Sequence, residues 1–146
     1  MKVKSSAFYN SEAIVLKQMP LGEADRILTL YTPEYGKLRA VTRGARRVRS
    51  KLGGHVQPLT RCLLSLNVGK TFYVVGQAQT LDSHPKLRTN LELVYTGFHL
   101  AELVDLFTVE ENPNPALYSL LQQSLIALED RSDSQLLGHF FEFQIL

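Results

Sequence analysis

Only one cysteine, Cys62, occurs in the 146-residue sequence. It has no partner for an internal disulfide, and one thiolate cannot build a four-cysteine zinc site. Cysteine usage of this kind implies a reducing cytoplasm. No window approaches the eighteen or so unbroken apolar residues that a membrane span requires. The opening segment, with Lys2 and Lys4, has no apolar stretch behind it of the kind a signal peptide needs. Catalytic signatures are equally scarce. His55, His84, His99 and His139 are scattered and form no H-x-x-x-H or E-x-x-H unit. Gly69-Lys70-Thr71 lacks the first glycine of a phosphate-binding loop and reads as a turn. Glu23 and Asp25 stand at the start of a hairpin, where solvation of a turn explains them. An enzyme, a nucleotide-binding protein and a membrane protein all find little support, and no metal or other cofactor is expected in this chain.

Acids are rare in one part of the sequence and bases in the other. Residues 1–90 hold 15 Lys+Arg against 5 Asp+Glu, a net of +10, whereas residues 91–146 hold 1 against 9, a net of −8. The overall charge of +2 hides this split. A basic binding module followed by a structurally different acidic module is the simplest arrangement, and the partner of the first should be polyanionic.

The pattern of the chain agrees. Short runs rich in Ile, Val, Leu, Thr and Tyr fill the first half, and helical periodicity fills the second, an order that predicts an α+β protein or two separate modules. Five strands are predicted, over residues 11–17, 25–32, 37–43, 59–68 and 72–81, punctuated by turn signals at Pro20-Leu21-Gly22, Pro33, Gly36 and Gly69-Lys70. Cys62, Leu64, Leu66 and Val68 alternate onto one face, which makes Cys62 an inert core thiol. Five short strands in a basic segment fit a small Greek-key barrel of the OB type. The strand count alone fits an SH3-like barrel almost as well.

The apolar period changes near Pro85. Thr89 and Glu92 have the spacing of a capping box, and Leu91, Val94, Tyr95, Phe98, Ala101 and Val104 form one face of the helix that follows. Leu93, Leu100, Leu103 and Phe107 make that helix apolar over much of its girth, so it should be central and buried. Asn114 as N-cap with Pro115 at the first helical position predicts a second helix. A third carries Leu136, Leu137, Phe140, Phe141 and Ile145 on one side. Its apolar end, with no stop signal, is what a truncated helical domain would show. Residues 1–82 are thus expected to form a basic barrel domain and 83–146 an acidic, incomplete helical domain.

The strongest chemical signal is the segment from Lys37 to Lys51. It holds Lys37, Arg39, Arg43, Arg46, Arg47, Arg49 and Lys51, and no acid. On a strand, Lys37, Arg39 and Arg43 share one parity, while Leu38, Ala40 and Thr42 share the other, so the bases should face outward. Arg46 to Lys51 fall in the loop beyond. Guanidinium groups pair bidentately with phosphate and stack on bases. A surface that merely protects an edge strand would mix signs, and this one does not. Aromatic platforms beside a basic groove are a further mark of single-strand binding. Tyr35, next to Gly36 in a turn, is the best exposed candidate, whereas Phe72 reads as core.

The run from Glu23 through Tyr35-Gly36-Lys37, continuing to Arg43-Gly44-Ala45-Arg46-Arg47 and Ser50-Lys51-Leu52, resembles the N-terminal domain of the RecO family. The segment from Gln57-Pro58 through Leu59–Leu66 adds to the likeness, which covers residues 11–82. Beyond residue 85 it rests on a similar succession of helices. The resemblance implies an OB-fold followed by a helical domain. It further implies binding of single- and double-stranded DNA, annealing of complementary strands, and partnership with RecR and single-stranded-DNA-binding protein so that RecA is loaded at gaps. A cytoplasmic, nucleoid-associated protein is implied as well. Many members carry a four-cysteine zinc module, whose cysteines this chain lacks. An RNA-binding OB-fold accessory module is the alternative that composition alone leaves open.

Overall fold

The computed structural model describes residues 8–44, 52–130, 141–142 and 144–145. Five strands come first: β1 (Phe8–Leu21), β2 (Asp25–Thr32), β3 (Gly36–Thr42), β4 (Arg61–Asn67) and β5 (Tyr73–Asp82). Two named helices follow among the described residues, α1 (Leu91–Leu106) and α2 (Pro115–Asp130), and residues 141–142 and 144–145 are helical as well. The strands close into a barrel in the order β1-β2-β3-β5-β4. β5 is inserted between β3 and β4, and its contact with β3 is parallel, through Ala40–Tyr73 and Val41–Val74. This crossover makes the barrel an OB-fold rather than a simple meander, and decides between the two barrels that strand count leaves open.

Closure depends on β1, which is longer than its apolar run of residues 11–17 suggests. Its first half pairs with β4 and its second with β2, and Ile14 is the shared residue, opposite both Arg61 and Tyr31. The register slips between Val15 and Lys17, a bulge that bends the strand from one partner to the other. Val15 pairs with Leu30 of β2 on one side and on the other exchanges backbone hydrogen bonds with Leu59 and Thr60, in the segment before β4.

Strand alternation builds two cores from one sheet. Inward residues, among them Val15, Leu28, Leu30, Leu38, Cys62 and Leu66, fill the barrel. Outward residues Ile14, Leu16 and Tyr31, with Leu59, meet Leu93, Leu100, Val104, Leu121, Leu125 and Phe141 of the helical segment. Each fully buried leucine contributes about 2 kcal/mol relative to exposure, so this second core binds the helices firmly to the barrel wall. Gly97 allows the approach, since a Cβ there would lie 2.8 Å from Leu59 Cδ1.

The N-cap of α1 is Asn90, one residue beyond the Thr89 of the predicted capping box. Its side chain accepts from the backbone N–H groups of Glu92 and Leu93. The predicted cap of α2 is found, as Asn114 Oδ1 accepts from Leu117 N–H at 3.1 Å. The buried face of α1 differs from the expected one. Leu93, Gly97, Leu100, Ala101 and Val104 are buried, while Leu91, Tyr95 and Phe98 are exposed. Apolar residues ring the helix, and hydropathy alone did not mark the side where glycine lets the backbone come close. Leu136, Leu137 and Phe140 of the predicted third helix lie outside the described residues. Phe141 is helical and buried against the first two helices.

Candidate nucleic-acid interface

The outward parity of β3 is as expected, but its surroundings are not uniform. Lys37 pairs with Tyr31 and Arg39 with Thr29 on β2. The Lys37 end of this outer face lies beneath the helices. The Lys37 side chain is only 9% exposed, and its Nζ donates to the carbonyls of Asp105 (2.8 Å) and Thr108 (2.9 Å) and to Asp105 Oδ1 (3.0 Å). All three ammonium protons are used. The carbonyls at the end of α1 have no intrahelical partner and carry the negative end of the helix dipole, so a lysine is a fitting cap. Lys37 is therefore a pin between barrel and helix rather than the surface group that alternation predicts.

Asp105 is held from a second side by Lys17 Nζ at 3.1 Å. Burial alone would raise its carboxyl, but the two ammonium groups outweigh this and hold it below the usual carboxylate range. The chain between the helices also closes over this end. Glu111 N–H donates to the Lys37 carbonyl at 2.9 Å. Gly36 has a φ of +73°, and a Cβ there would stand 2.7 Å from the backbone of Asn112. A glycine is required at that point on both counts.

Farther along β3 the cover ends. Arg39 is 48% exposed, with Glu110 Oε1 3.9 Å from its Nε. Arg43 is exposed and has no acid within ion-pair distance among the described residues. Gly44 N–H donates to Asp25 Oδ1 at 2.8 Å, so Asp25 ties down the turn just after β3 instead of serving only as a solvated turn acid. Arg46, Arg47, Arg49 and Lys51 lie outside the described residues.

Tyr35 does not stand free. Its ring is half-buried, with its centroid 4.8 Å from that of Tyr9, which in turn lies 6.0 Å from Tyr73. Tyr73 belongs to the barrel core, and Tyr9 and Tyr35 pack against it. Tyr73 donates to Glu111 Oε1 at 3.2 Å, and burial, with the Glu111 charge, pushes its phenol up to about 12. Phe72 is partly buried. Cys62 is buried, and its thiol is pushed up to about 12 by that burial, as expected of an inert core group.

Several bases of the first half are structural staples, which charge counting could not reveal. Arg61 reaches Glu12 at 3.4 Å, and the same Glu12 oxygen accepts from the Tyr118 hydroxyl at 2.7 Å. Burial and this carboxylate raise the Tyr118 phenol well above its ordinary value. Arg88 donates to the carbonyls of Ser83 and Pro58 and to Thr60 Oγ1. The segment joining the modules is clasped by buried His84, whose Nδ1 lies 2.9 Å from Glu129 Oε1 and 3.7 Å from Asp82 Oδ2. Asp82, His84 and Glu129 are close enough to suggest metal ligands. Backbone N–H groups of His84 and Lys86 already occupy oxygens of Asp82 and Glu129, which favours a hydrogen-bonded clasp. Glu12 and Tyr118 are 106 residues apart, Arg61 and Glu12 49, and His84 and Glu129 45, and only the fold brings these pairs together.

An OB-fold barrel with a helical module on its outer wall and arginines emerging from under that module is the class these features define. Residues 6–84 match the family profile described as Recombination protein O N terminal, and residues 88–146 match Recombination protein O C terminal. The chain belongs to the RecO family of DNA repair proteins. It is 38% identical over 138 residues to the DNA repair protein RecO of Roseiflexus sp. (strain RS-1), an alignment covering 94% of this chain and 48% of the relative. Against the DNA repair protein RecO of Synechococcus elongatus (strain ATCC 33912 / PCC 7942 / FACHB-805) the identity is 40% over 139 residues, covering 94% and 52%. The chain thus spans about half the length of the curated relatives it matches. No helix among the described residues is long and apolar enough to cross a membrane.

Proposed function

We propose that the chain is the DNA-binding part of a recombination mediator that acts without catalysis. In this reading it binds single- and double-stranded DNA in the cytoplasm, anneals complementary strands, and works with RecR and single-stranded-DNA-binding protein to load RecA. The observation that carries it is the free end of β3, where Arg39 and Arg43 come out of the helical cover and lead into an acid-free arginine run. Two strands repel each other along their phosphates, and bound guanidinium groups lower that repulsion. Such contacts favour the backbone, so bases stay available for pairing.

The test is annealing of complementary oligonucleotides at moderate salt, with chelator and without nucleotide. Rate enhancement should persist under these conditions and be lost when Arg43, Arg46 and Arg47 are neutralised. A nucleotide requirement, or cleavage of the strands, would instead favour an enzyme. Competition between unlabelled single-stranded DNA and RNA of equal length separates the DNA reading from an RNA-binding module, and DNA should compete better.

A further inference from the structure

Past the helical cover, the outer face of β1, β2 and β3 continues as a series of cross-strand rows. Lys17, Thr29 and Arg39 form the first, and Met19, Ile27 and Val41 the second. Leu21 stands opposite Asp25 in the third, and Arg43 follows directly on the end of β3. The first row marks where the cover stops, because Lys17 meets Asp105 and Arg39 meets Glu110 of the helical segment.

Beyond that border the sheet is apolar and open. Met19 is 54% exposed and Leu21 39%, Ile27 is partly buried, and Val41 is nearly sealed. At the covered end the same outward parity holds Ile14 and Tyr31, which are buried against the helices. Apolar side chains thus run outward along β1 and β2 farther than the helices reach. Single exposed apolar residues are ordinary, but adjoining ones on paired strands make a continuous patch. Strands are about 4.8 Å apart and rise about 3.3 Å per residue. From β1 to β3, and from Lys17 to Leu21, the patch therefore measures roughly 10 by 13 Å, or about 130 Å².

We infer that this patch seats the flat faces of bases from a single DNA strand, with Arg39 and Arg43 holding phosphates along its β3 side. The inference rests on the DNA-binding reading above. It adds a reason to prefer single strands, since a duplex keeps its base faces stacked inside. Three observations favour this occupant. Arg39 and Arg43 lie about 13 Å apart on one side of the patch, only loosely opposed at Arg39, and so complement a phosphate chain. Asp25, in the third row, already gives an oxygen to the Gly44 N–H. Methionine, isoleucine and leucine side chains are used against base faces in other DNA complexes. The patch is far smaller than the 800 Å² or so that each partner covers in a stable protein interface. An extended peptide is a poorer fit as well, because β2 is paired on both sides and offers no edge for strand addition.

The experiment compares oligothymidylate with an abasic oligonucleotide of equal length and with duplex DNA, using the whole chain. Oligothymidylate should bind about tenfold more tightly than the abasic strand, as covering roughly half of the patch would give. In the double variant Met19→Gln/Leu21→Gln that ratio should fall toward one, while duplex affinity and salt dependence stay unchanged, because no charge is altered. Both side chains are exposed, so its thermal melt should coincide with that of the parent. Met19→Leu/Leu21→Met, which keeps the surface apolar, should retain the preference. Equal binding of the two single strands by the parent overturns the patch but leaves backbone binding intact. A preference that survives the glutamine variant places the base contacts elsewhere and overturns it too, as does an equal loss of duplex affinity. Failure of the parent to bind any of the three DNAs overturns the DNA-binding reading itself.

Discussion

At the start of β3, Lys37 gives all three of its protons to the end of α1 and is nearly sealed from water. At the other end, past Thr42, Arg43 points into solvent with no acidic partner among the described residues. Arg39 stands between them, half-exposed and loosely opposed by Glu110. These three residues share one parity, one charge sign and one strand. What separates them is the acidic helical module, which covers one end of the strand and not the other. The positive half of the sequence is therefore less positive toward a ligand than its composition suggests. Part of its charge holds the molecule together.

The sharpest way to break this comparison is to substitute each end in turn. Lys37→Met keeps the length of the stem but leaves the Asp105 carbonyl of α1, the Thr108 carbonyl just beyond it and much of the Asp105 carboxylate without their cation. Removing one partner of a buried ion pair costs about 3–5 kcal/mol, and the surviving Lys17 contact places this case near 3. Denaturant unfolding should show that loss, and the melting temperature should fall by about 6–12 °C. DNA affinity per folded molecule should not change. A variant that melts normally yet binds DNA poorly would return Lys37 to the interface.

The triple variant Arg43→Ala/Arg46→Ala/Arg47→Ala should behave in the opposite way. Surface substitutions of this kind change stability by about half a kcal/mol or less each. Each lost phosphate contact should flatten the slope of log affinity against log salt by about 0.7 for single strands, so the three together remove about 2 units of slope. Titrations at several salt concentrations measure this directly. A large drop in melting temperature with an unchanged slope would show that the arginines hold the fold.

The two ends of β3 also mark what could be read without coordinates. Alternation along β3 and β4 gave the barrel's inside and outside correctly, because the pleat forces it. Asn114 and Pro115 announced the start of α2, because capping is a local interaction. Burial of Lys37 was hidden, since the helix end that covers it lies 68 residues away. The Glu12–Tyr118 contact spans 106 residues and has no local signature at all. The buried side of α1 was misjudged for a related reason. Leu91 and Phe98 are as apolar as Leu93 and Leu100, and the packing of Gly97 against Leu59 distinguishes the faces. Tyr35 was expected in solvent because of its turn, yet the neighbouring strands supply Tyr9 and Tyr73 to pack around it.

Acid titration probes the covered end more gently. The Asp105 carboxyl is held below its usual range in the folded protein. Its contribution to stability is therefore present above the ordinary aspartate value of about 3.9 and is lost as pH falls through the lower folded value. Wild type should lose stability over this acid interval more steeply than Asp105→Asn, which has no carboxylate to protonate. Parallel pH profiles for the two proteins would remove the Lys37–Asp105–Lys17 cluster from the account.

Arg39 offers the smallest effect and the finest discrimination, because it sits where helical cover gives way to solvent. Glu110 is itself half-exposed, and at 3.9 Å the pair is at the limit of an ion contact. Exposed pairs of this kind contribute between nothing and about 1 kcal/mol. Glu110→Gln should therefore leave the melting temperature almost unchanged. It removes a negative charge from beside the strand and frees Arg39 toward a phosphate, so single-strand affinity at low salt should rise by about twofold, equivalent to a few tenths of a kcal/mol. The gain should fade as salt is raised, since the Debye length shrinks from about 30 Å at 0.01 M to about 8 Å at 0.15 M. In an Arg39→Ala background the same substitution should give a smaller gain, because only the long-range repulsion of Glu110 is then relieved. Equal gains in both backgrounds would mean that Glu110 acts through general repulsion of DNA alone, and that the working interface begins at Arg43.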